Sequence, residues 1–484
     1  MNALKSLIIG GEEVDTGEYS SIVNPANGEP FEKVSVIKDK DLIKRSIDLA
    51  EDSFREFSKL PLKDRSKILM KASEIMEMRK EDLAKTLSLE SGKPIKDSRV
   101  EILRAISVFK IAAEEARFVL EGKVHRVDAY EYPPGNQNRI VMEVREPLGI
   151  VAAILPFNFP ANSFAHKVAP NIVAGNTVIV KPSVSTPLSA LELGKIMYEA
   201  GLPRGVLSVL IGDSAVIGDE LITSKKIQGI TFTGSTKVGL SIASKAVLTS
   251  KRLMMEMGGS DPIIVLNDAD IEKAVNVSVK ARFEYAGQNC NAGKRIIVHE
   301  DVYDKFSKMY IDAVNKLKVG DPLDENTDVG PIISNTAVNT MNDFIEDAKN
   351  KGAKIYSGLR IQKGYYYPLT VLINASPDMK VMKEEVFGPL APIVKFSSID
   401  EAIDIANSTD YGLQSAIFTK DLNKALRISK ELKFGAVIIN NSTRLRWDAL
   451  PFGGVRMSGL GNREGVRNTI MTMTEPKILS IELE

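Results

Sequence analysis

Residues 150–180, IVAAILPFNFPANSFAHKVAPNIVAGNTVIV, carry the clearest architectural signal in this chain. The stretch begins and ends with short apolar runs, 150–155 and 177–180, and a longer helix-like segment separates them. The same alternation continues through apolar runs at 207–211 and 230–232. Strands that are apolar along their whole length and alternate with helices indicate a parallel sheet covered by helices on both faces. The sequence therefore predicts a doubly wound α/β unit.

Two further patterns extend this unit. After the second strand, Ser185 or Thr186 is expected to cap a helix, with Pro187 in its first turn and Gly201 at its end. A second α/β region begins near Met257, where IIVL, RIIVH, APIVKF, SAIFT and GAVIIN resemble strands and DVYDKFSKMYIDAVNKL and DEAIDIAN resemble helices. The predicted fold class is α/β, with two doubly wound domains of similar size.

Two other segments lie outside these sheets. From Asp41 to about Gly122 the apolar positions recur with helical spacing, which predicts a helical layer. The turn-rich EYPPGNQNRI at 131–140 leads into NRIVMEVREPLG, whose alternation is typical of an extended ribbon. Such a ribbon either pairs with another subunit or stays on the surface, and the sequence leaves both interpretations open.

The composition excludes several classes of protein. The 484 residues include 63 basic and 63 acidic side chains, so the formal net charge is zero and a nucleic-acid or membrane partner is not expected. The run 150–155 is far shorter than the roughly 20 apolar residues of a membrane span. One cysteine and three histidines give no support to a disulfide framework or a metal site, and they suit a reducing cytoplasm.

Cys290 is the first candidate for chemistry. A lone cysteine is commonly a small, inert core residue, but this one lies in the polar, glycine-bearing loop AGQNCNAGKR between a helix and the strand RIIVH. That setting favours a reactive thiolate. No histidine stands in these motif segments, so a base such as Glu256 of MMEMGGSDP would have to activate it.

A candidate anion site lies in ITFTGSTKVG. An apolar strand is followed by Gly234, Ser235 and a helix-like stretch. Free N–H groups and the helix dipole at such a junction favour a phosphate, although an ordinary capped turn has the same pattern.

Seven short motifs together resemble the aldehyde dehydrogenase superfamily. PFNFP, KPS, FTGSTKVG, MEMGGSDP, GQNCNAGKR, EEVFGPL and PFGGVRMSG stand in the order and spacing of that family, over about 150–465. The resemblance implies two Rossmann-like domains and a small β-ribbon oligomerisation element. It divides the chain into a cofactor-binding domain (1–127 and 147–256), a catalytic domain (257–457) and the ribbon (128–146 and 466–484).

Carried over residue by residue, the resemblance implies the catalytic roles. Cys290 would be the nucleophile, Glu256 the general base, and Asn158 a side-chain donor to the oxyanion, with the Cys290 backbone N–H as second donor. Lys167 resembles a family lysine that assists proton movement, although a charge on a helix surface is the alternative interpretation. The implied reaction forms a thiohemiacetal, loses hydride to a nicotinamide, and hydrolyses the resulting thioester.

The resemblance also implies a cofactor site for NAD or NADP. Its residues would be Pro156, Phe157, Lys181, Ser183, Val184, Gly234, Ser235, Gly239, Glu385 and Phe387. NAD-preferring members commonly carry a glutamate three positions after the lysine that binds the adenosine ribose, and this chain has Val184 there. Because a missing carboxylate removes repulsion toward a 2'-phosphate, we expect NADP to be used at least as well as NAD.

The expected substrate is a small polar aldehyde. Arg444 and Arg446 precede PFGG, in a region that often borders the substrate tunnel in this family, and arginine suits a carboxylate or phosphate. A solvated loop is the competing interpretation. Together with GQNCNAGKR, which includes Asn289 and Asn291, this stretch most resembles family members that act on small polar aldehydes: glyceraldehyde 3-phosphate without phosphorylation, glyceraldehyde, lactaldehyde or succinate semialdehyde. Of these, we favour glyceraldehyde 3-phosphate.

Other readings of the motifs stay open at this level. A CoA-acylating relative would share the fold and the cysteine but would not need a base that activates water, whereas Glu256 favours hydrolysis. A cofactor-independent thiol hydrolase would leave GSTKVG and EEVFGPL unexplained, and a non-enzymatic binding protein would not need Cys290, Glu256 and Asn158 together. The resemblance also implies a homodimer or homotetramer, with Tyr130–Glu146 and the C-terminal TEPKILSIELE as contacts.

Overall fold

The computed structural model describes residues 5–359 and 361–483. Two separate hydrophobic cores organise it. The first contains residues such as Val178 and Ile230, and the second contains residues such as Ile264 and Ile297. Each core surrounds one of two large sheets, which confirms the prediction of two α/β units.

The helices, apart from short 3₁₀ turns, are α1 Asp41–Phe57, α2 Leu62–Met78, α3 Lys80–Ser91, α4 Ile95–Val119, α5 Pro160–Ala174, α6 Leu188–Glu199, α7 Ser214–Thr223, α8 Thr236–Ala246, α9 Ile271–Phe283, α10 Glu300–Val314, α11 Asn335–Asn350, α12 Lys380–Lys383, α13 Ile399–Asn407, α14 Leu422–Glu431 and α15 Val466–Thr472. The strands are β1 Leu7–Ile9, β2 Glu12–Val14, β3 Tyr19–Asn24, β4 Glu29–Ser35, β5 Lys123–His125, β6 Arg139–Pro147, β7 Ile150–Ile154, β8 Thr177–Lys181, β9 Leu207–Val209, β10 Ile227–Thr233, β11 Arg252–Glu256, β12 Asp261–Val265, β13 Gly293–His299, β14 Lys354–Ser357, β15 Thr370–Ile373, β16 Leu390–Phe396, β17 Gln414–Phe418, β18 Ala436–Ile439, β19 Gly459–Gly461 and β20 Thr474–Glu482.

The first sheet has eight strands in the order β19-β11-β10-β7-β8-β9-β1-β2. Its middle strands, from β11 to β9, are parallel, and β1, β2 and β19 are antiparallel additions at the edges. The strand order reverses between β7 and β10, and ligands of such sheets bind beyond the carboxyl ends of the strands at this reversal.

The second sheet has seven strands in the order β14-β15-β16-β13-β12-β17-β18. All neighbours are parallel except β14 and β15. Strands β12, β13 and β17 are fully buried apart from the partly exposed last residue of β13, as expected for a sheet with helices on both faces.

The predicted cap of the helix after β8 is wrong. Helix α6 begins at Leu188 after Pro187, and no side chain of that preceding residue caps it. Instead, the buried carboxylate of Glu90 on α3 accepts hydrogen bonds from the N–H groups of Leu188 and Ser189, at 2.7 and 3.0 Å. Thr186 is turned away and donates its hydroxyl to the Phe157 carbonyl. A distant carboxylate in the helical layer therefore performs the role that local sequence assigned to a hydroxyl.

The extended ribbon is a three-stranded antiparallel sheet in the order β20-β6-β5. The C-terminal segment pairs with β6 from Thr474 to Glu482, but α15 packs on α4 and α5. The predicted element at 466–484 therefore has two parts, a helix that packs in the first hydrophobic core and one ribbon strand. The role of the ribbon in assembly stays a prediction. Within the described residues, no helix combines the length and apolarity that crossing a bilayer demands.

Candidate active site

A cavity of about 900 Å³ lies between the two sheets. The first sheet contributes the segments that follow β7, β8, β10 and β11, so it presents carboxyl ends of strands. The second sheet contributes Gly258 before β12, Cys290 before β13 and Glu385 before β16, so it presents amino ends. The seven sequence motifs thus meet around one space.

The loop that carries Cys290 has a strained backbone. Tyr285 and Ala286 have φ values of 50° and 51°, and Gly287 follows at 72°. Left-handed conformations at residues other than glycine are unfavourable and persist only where the surroundings enforce them. The buried Tyr285 ring is anchored because its hydroxyl donates to the Ser91 carbonyl at 2.9 Å. This turn places Cys290 on the cavity wall.

Burial raises the pKa of the Cys290 thiol to about 11, against the opposing effect of the Lys294 ammonium. The nearby Glu256 carboxylate adds to the increase. The sequence favoured a reactive thiolate, whereas a pKa of about 11 favours the protonated thiol at neutral pH. Its proton must therefore leave as the sulfur attacks.

Asn158 lies on the cavity wall in the turn after β7. One side-chain N–H donates to the Gln288 carbonyl at 2.9 Å, and its own main-chain carbonyl accepts from Lys93 at 2.8 Å. Because an amide nitrogen carries two hydrogens, a second donor remains for a ligand. Asn158 is thus held firmly beside the Cys290 loop.

Glu256 ends β11 and lines the same cavity. Its carboxylate is buried and its Oε2 atom has no hydrogen-bond partner among the described residues. Burial, with repulsion from Glu464, raises the pKa of Glu256 to about 8. A carboxyl group with a pKa near the working pH is suited to take up and release protons.

Behind Glu256 lies a buried ionic network that the sequence did not reveal. Lys167 is completely buried, which excludes its interpretation as a surface charge, and its Nζ lies 2.5 Å from Glu464 Oε2. Arg446 donates to Glu464 Oε1 at 2.9 Å. Although burial opposes it, the charges of Lys167, His166 and Arg446 hold the pKa of Glu464 well below its usual value.

The ionic network extends through His166 and Asp448 to Arg104, which lines the cavity. His166 Nε2 lies 3.0 Å from Asp448 Oδ1 and 3.1 Å from Arg446 Nη2. Arg104 on α4 donates to Asp448 at 2.6 Å and also lines the cavity. Glu464, His166, Asp448 and Arg104 were all missed in the sequence, because a charged residue on a helix or loop gives no local sign of burial.

The two predicted arginines occupy ordered, mostly buried positions and not a solvated loop. Arg444 donates to Asn291 Oδ1 at 2.7 Å and to Glu284 Oε1 at 2.6 Å, and its guanidinium lies 5.3 Å from the Phe159 ring centre. Asn291 lines the cavity with Arg444 and Arg446. Asn289, however, is completely buried outside this lining and donates to the Glu284 carbonyl. It supports the loop and does not reach the cavity.

The cavity has two ends. The end away from Arg444 and Arg446 is formed by the junction between β10 and α8. Ser235 is the N-cap of α8, and its hydroxyl accepts from Val238 N at 3.4 Å. A Cβ atom on Gly234 would lie 2.6 Å from the Phe232 ring, so a larger residue here would require this buried ring to shift. Free N–H groups at the start of this helix of 11 residues can bind an anion. Gly239, one turn further, packs on Met257 and does not line the cavity.

Lys181, Ser183 and Val184 line this end. Burial lowers the pKa of the Lys181 ammonium to about 8, against the opposing charge of Asp213. Lys181 Nζ donates to the Pro182 carbonyl at 3.2 Å, and Val184 is half-exposed. The lysine is therefore in place for an anionic or hydroxyl-bearing ligand, with an uncharged neighbour.

Between the two ends, the remaining predicted cofactor residues come together. Phe157 and Phe387 meet edge to face with ring centres 5.7 Å apart, and Pro156 and Glu385 line the same wall. Aromatic rings, a carboxylate, a lysine and a helix N-terminus suit the ring, hydroxyl and phosphate parts of a dinucleotide. Across residues 5–359 and 361–483, no group of three or more His, Cys, Asp or Glu side chains is arranged to hold a metal ion.

A cavity that joins an anion-binding helix terminus to a nucleophilic thiol, between two doubly wound sheets, is typical of a dinucleotide-dependent oxidoreductase. Comparison with known proteins identifies the family within this class. Residues 13–479 match the Aldehyde dehydrogenase family, and the chain belongs to that family. The predicted family, fold and enzyme class are thus confirmed.

Several similar proteins are dehydrogenases named for small aldehydes. The lactaldehyde dehydrogenase of Methanocaldococcus jannaschii is 42% identical over 468 residues, covering 96% of this chain and 97% of the relative. The 3-sulfolactaldehyde dehydrogenase of Priestia megaterium is 39% identical over 479 residues, covering 99% and 98%. Among solved structures, glyceraldehyde-3-phosphate dehydrogenase GapN of M. jannaschii, complexed with NADP, has a TM-score of 0.90 at 41% identity and covers 96% and 99%. This chain is an aldehyde dehydrogenase, an oxidoreductase that acts on small aldehydes.

Proposed function

We propose that this enzyme oxidises a small anionic aldehyde to the carboxylic acid through a thioester on Cys290. The observation that carries the proposal is that three arginines, Arg104, Arg444 and Arg446, line the cavity that also contains Cys290. A guanidinium group binds carboxylate and phosphate oxygens in a fixed geometry. An aldehyde with such a group at its other end would be oriented with its carbonyl toward the sulfur.

The first step uses the nucleophile and two donors. Cys290 Sγ forms a bond to the aldehyde carbon, and the thiol proton passes to the ionised form of Glu256, which lines the same cavity. The negative charge that develops on the aldehyde oxygen is stabilised by the Asn158 amide and the Cys290 N–H. Since Asn158 is already held by hydrogen bonds to two segments, little reorganisation is needed.

Gly234, Ser235, Glu385 and Phe387 would hold NAD or NADP, which when bound would accept the hydride lost as the adduct becomes a thioester. Once the thiol proton has left Glu256, its carboxylate takes a proton from water, and the water oxygen forms a bond to the acyl carbon. Sulfur then leaves as a thiolate and takes that proton back from Glu256. The products are the carboxylate and the regenerated thiol. The Glu464 main chain contributes a hydrogen bond to the Glu256 carboxylate, and the charge of Lys167 acts on the same carboxylate. We assign Lys167 and Glu464 the removal of the thiol proton from this base before hydrolysis: the Lys167 ammonium gives one proton to Glu464 Oε2 and takes up the one that Glu256 releases.

Among anionic aldehydes, we favour glyceraldehyde 3-phosphate, oxidised without phosphorylation. The doubly charged phosphate matches an arginine cluster better than a neutral hydroxyl group does. The similar structure of GapN with NADP supports the same choice. A succinate semialdehyde carboxylate is the next candidate by charge.

A neutral hydroxyaldehyde such as lactaldehyde is the second candidate function. Each arginine of the cluster is already paired, Arg104 with Asp448, Arg444 with Glu284 and Arg446 with Glu464. Paired guanidinium groups attract a further anion less strongly than free ones. The 42% identity to a lactaldehyde dehydrogenase supports this alternative.

The test measures reduced cofactor at its absorbance maximum for glyceraldehyde 3-phosphate, succinate semialdehyde, lactaldehyde and glyceraldehyde. Each aldehyde is assayed with NAD and NADP, with and without CoA. We expect the highest kcat/KM for the phosphorylated aldehyde, NADP at least as effective as NAD, and no dependence on CoA. A preference for lactaldehyde would replace the anionic assignment by the second candidate. A strict requirement for CoA would contradict hydrolysis by Glu256.

A further inference from the structure

The side chain of Lys294, four positions after Cys290, is completely buried among segments that line the cavity. Its Nζ donates to the Gly259 carbonyl at 2.6 Å, to the Cys290 carbonyl at 2.8 Å and to Glu385 Oε1 at 2.8 Å. An ammonium group has three donors and no acceptor. All three donors are therefore used, and each one reaches a different segment.

The three acceptors belong to the three segments that form the middle of the cavity. Gly259 follows the strand that ends in Glu256, Cys290 belongs to the nucleophile loop, and Glu385 precedes β16. These segments come together only through the fold. One buried cation thus joins the segments that carry the base and the nucleophile to the expected cofactor carboxylate.

The packing around Lys294 leaves little freedom for these segments. A Cβ atom on Gly259 would lie 2.7 Å from the Cys290 carbonyl oxygen, and one on Gly258 would lie 2.2 Å from Glu385 Oε2. The Gly259 N–H also donates to Glu385 Oε1 at 3.0 Å. One oxygen of Glu385 is therefore fixed by two donors, while the other lies beside Gly258, which lines the cavity.

We propose that Lys294 is a positioning residue that holds the Glu385 carboxylate for the cofactor and the Cys290 main chain for the aldehyde in one fixed arrangement. By binding Oε1, it leaves Oε2 to accept hydrogen bonds from the ribose hydroxyls. By binding the Cys290 carbonyl, it fixes the backbone from which the sulfur and the N–H donor project. This inference rests on the proposed roles of Cys290 and Glu385.

The charge of Lys294 also acts on the thiol. The other charged groups that influence Cys290 are Glu256 from β11, Asp261 from β12 and Arg444 from the loop after β18. Lys294 and Arg444 favour the thiolate, and the two carboxyl groups disfavour it. Removing the Lys294 charge is therefore expected to raise the pKa of Cys290 and to slow its alkylation at a given pH.

The experiment combines two measurements on the full chain. The first is the dissociation constant of NADPH and NADH, followed by their fluorescence without aldehyde. The second is the rate of alkylation by iodoacetamide from about pH 6 to about pH 10, a range in which thiolate formation controls the rate. Because Cys290 is the only cysteine in the chain, the alkylation rate reports on one sulfur.

Two variants separate the charge from the hydrogen bonds. Lys294→Met keeps the approximate length and removes both, whereas Lys294→Gln keeps two N–H donors without charge. The matched control is Lys251→Met, since Lys251 is also buried and donates to two backbone carbonyls, of Ser224 and Ile227, outside the cavity lining. Thermal unfolding of all three variants measures the general cost of losing a buried lysine.

We expect Lys294→Met to weaken cofactor binding about tenfold or more and to lower the alkylation rate across the pH range. Lys294→Gln should recover part of the affinity but not the alkylation profile, because the amide restores donors and not charge. Lys251→Met should change neither quantity while lowering the unfolding temperature. If Lys294→Met fails to fold, Lys294→Gln still tests the proposal through the alkylation profile.

Two outcomes would overturn different statements. If folded Lys294→Met or Lys294→Gln binds the cofactor and is alkylated within twofold of the unmodified protein, Lys294 does not position the site. Glu385→Gln serves as the reference for the cofactor site itself. If Glu385→Gln also leaves cofactor affinity unchanged, the proposed role of Glu385 is wrong, and the alkylation profile alone then decides on Lys294.

Discussion

The two ends of the cavity are built differently. At the aldehyde end, charged groups are paired before any ligand arrives, with Lys167 at 2.5 Å and Arg446 at 2.9 Å from Glu464. At the cofactor end, Ser235 only caps its own helix, Lys181 bonds to a neighbouring carbonyl, and Val184 is half-exposed. At the aldehyde end, the charged groups bind one another. At the cofactor end, the polar groups make few contacts within the protein and have donors left for a ligand.

This difference has consequences for substitution. Removing one member of a buried ion pair leaves an uncompensated charge and costs roughly 3–5 kcal/mol. At the aldehyde end, changes should therefore act on the chemical steps and on folding together. At the cofactor end, changes should act mainly on ligand affinity and selectivity. Substitutions at three positions test this contrast.

The largest effect is expected at Cys290. Cys290→Ser replaces the sulfur by a hydroxyl that is a much poorer nucleophile, and Cys290→Ala removes the group. We expect either change to lower kcat for aldehyde oxidation on the order of 10⁴-fold or more. Cofactor affinity should stay unchanged, because that end of the cavity is independent of the sulfur. Undiminished cofactor reduction in either variant would exclude the thioester mechanism.

A smaller loss is expected at the base. Glu256→Gln keeps the shape of the side chain but cannot accept a proton, so hydrolysis of the thioester should slow by roughly 10²- to 10⁴-fold. Formation of the first equivalent of reduced cofactor should be affected less, and stopped-flow absorbance would separate this burst from the slow turnover that follows.

The pH dependence provides the control for Glu256. In the unmodified enzyme, the carboxyl is mostly protonated below its pKa of about 8, so the hydrolysis rate should rise with pH and level off above that value. In Glu256→Gln this rise should disappear. An unchanged pH profile in the variant would assign the titration to another group.

The contrast between the two ends also explains how much the sequence could predict. Gly234 and Ser235 are neighbours at a junction between a strand and a helix, so their role has a local signal. The parallel sheets were predictable for the same reason, since periodicity is local. Cys290 and Glu256 were candidates from their local sequence, but their expected roles and that of Asn158 depend on several motifs that stand in a family order.

The aldehyde end has no such local signal. Arg104 and Asp448 are 344 positions apart and meet through a hydrogen bond of 2.6 Å. Glu464 is buried by contacts with Lys167 and Arg446, which come from two other segments. A pattern read along the chain cannot distinguish these buried charges from solvated ones. The cap of α6 by Glu90 could not be predicted either, because Glu90 is 98 positions away from Leu188 in the sequence.

The smallest expected effect concerns selectivity at the open end. Val184→Glu introduces a carboxylate next to Lys181, where it can accept hydrogen bonds from ribose hydroxyls and repel a 2'-phosphate. We expect kcat/KM for NADP to fall by about tenfold or more, and that for NAD to stay or rise. The aldehyde KM should remain unchanged, because Val184 lies at the opposite end of the cavity from the arginines.

The matched control is Val184→Gln, which has the size and polarity of glutamate without its charge. If repulsion of the 2'-phosphate is the cause, Val184→Gln should retain most of the NADP activity, and the loss in Val184→Glu should shrink as salt screens the two charges. Equal losses in both variants would indicate a steric effect. A large preference of the unmodified enzyme for NAD would contradict the role assigned to Val184, and the cofactor end would then discriminate through other residues of its wall.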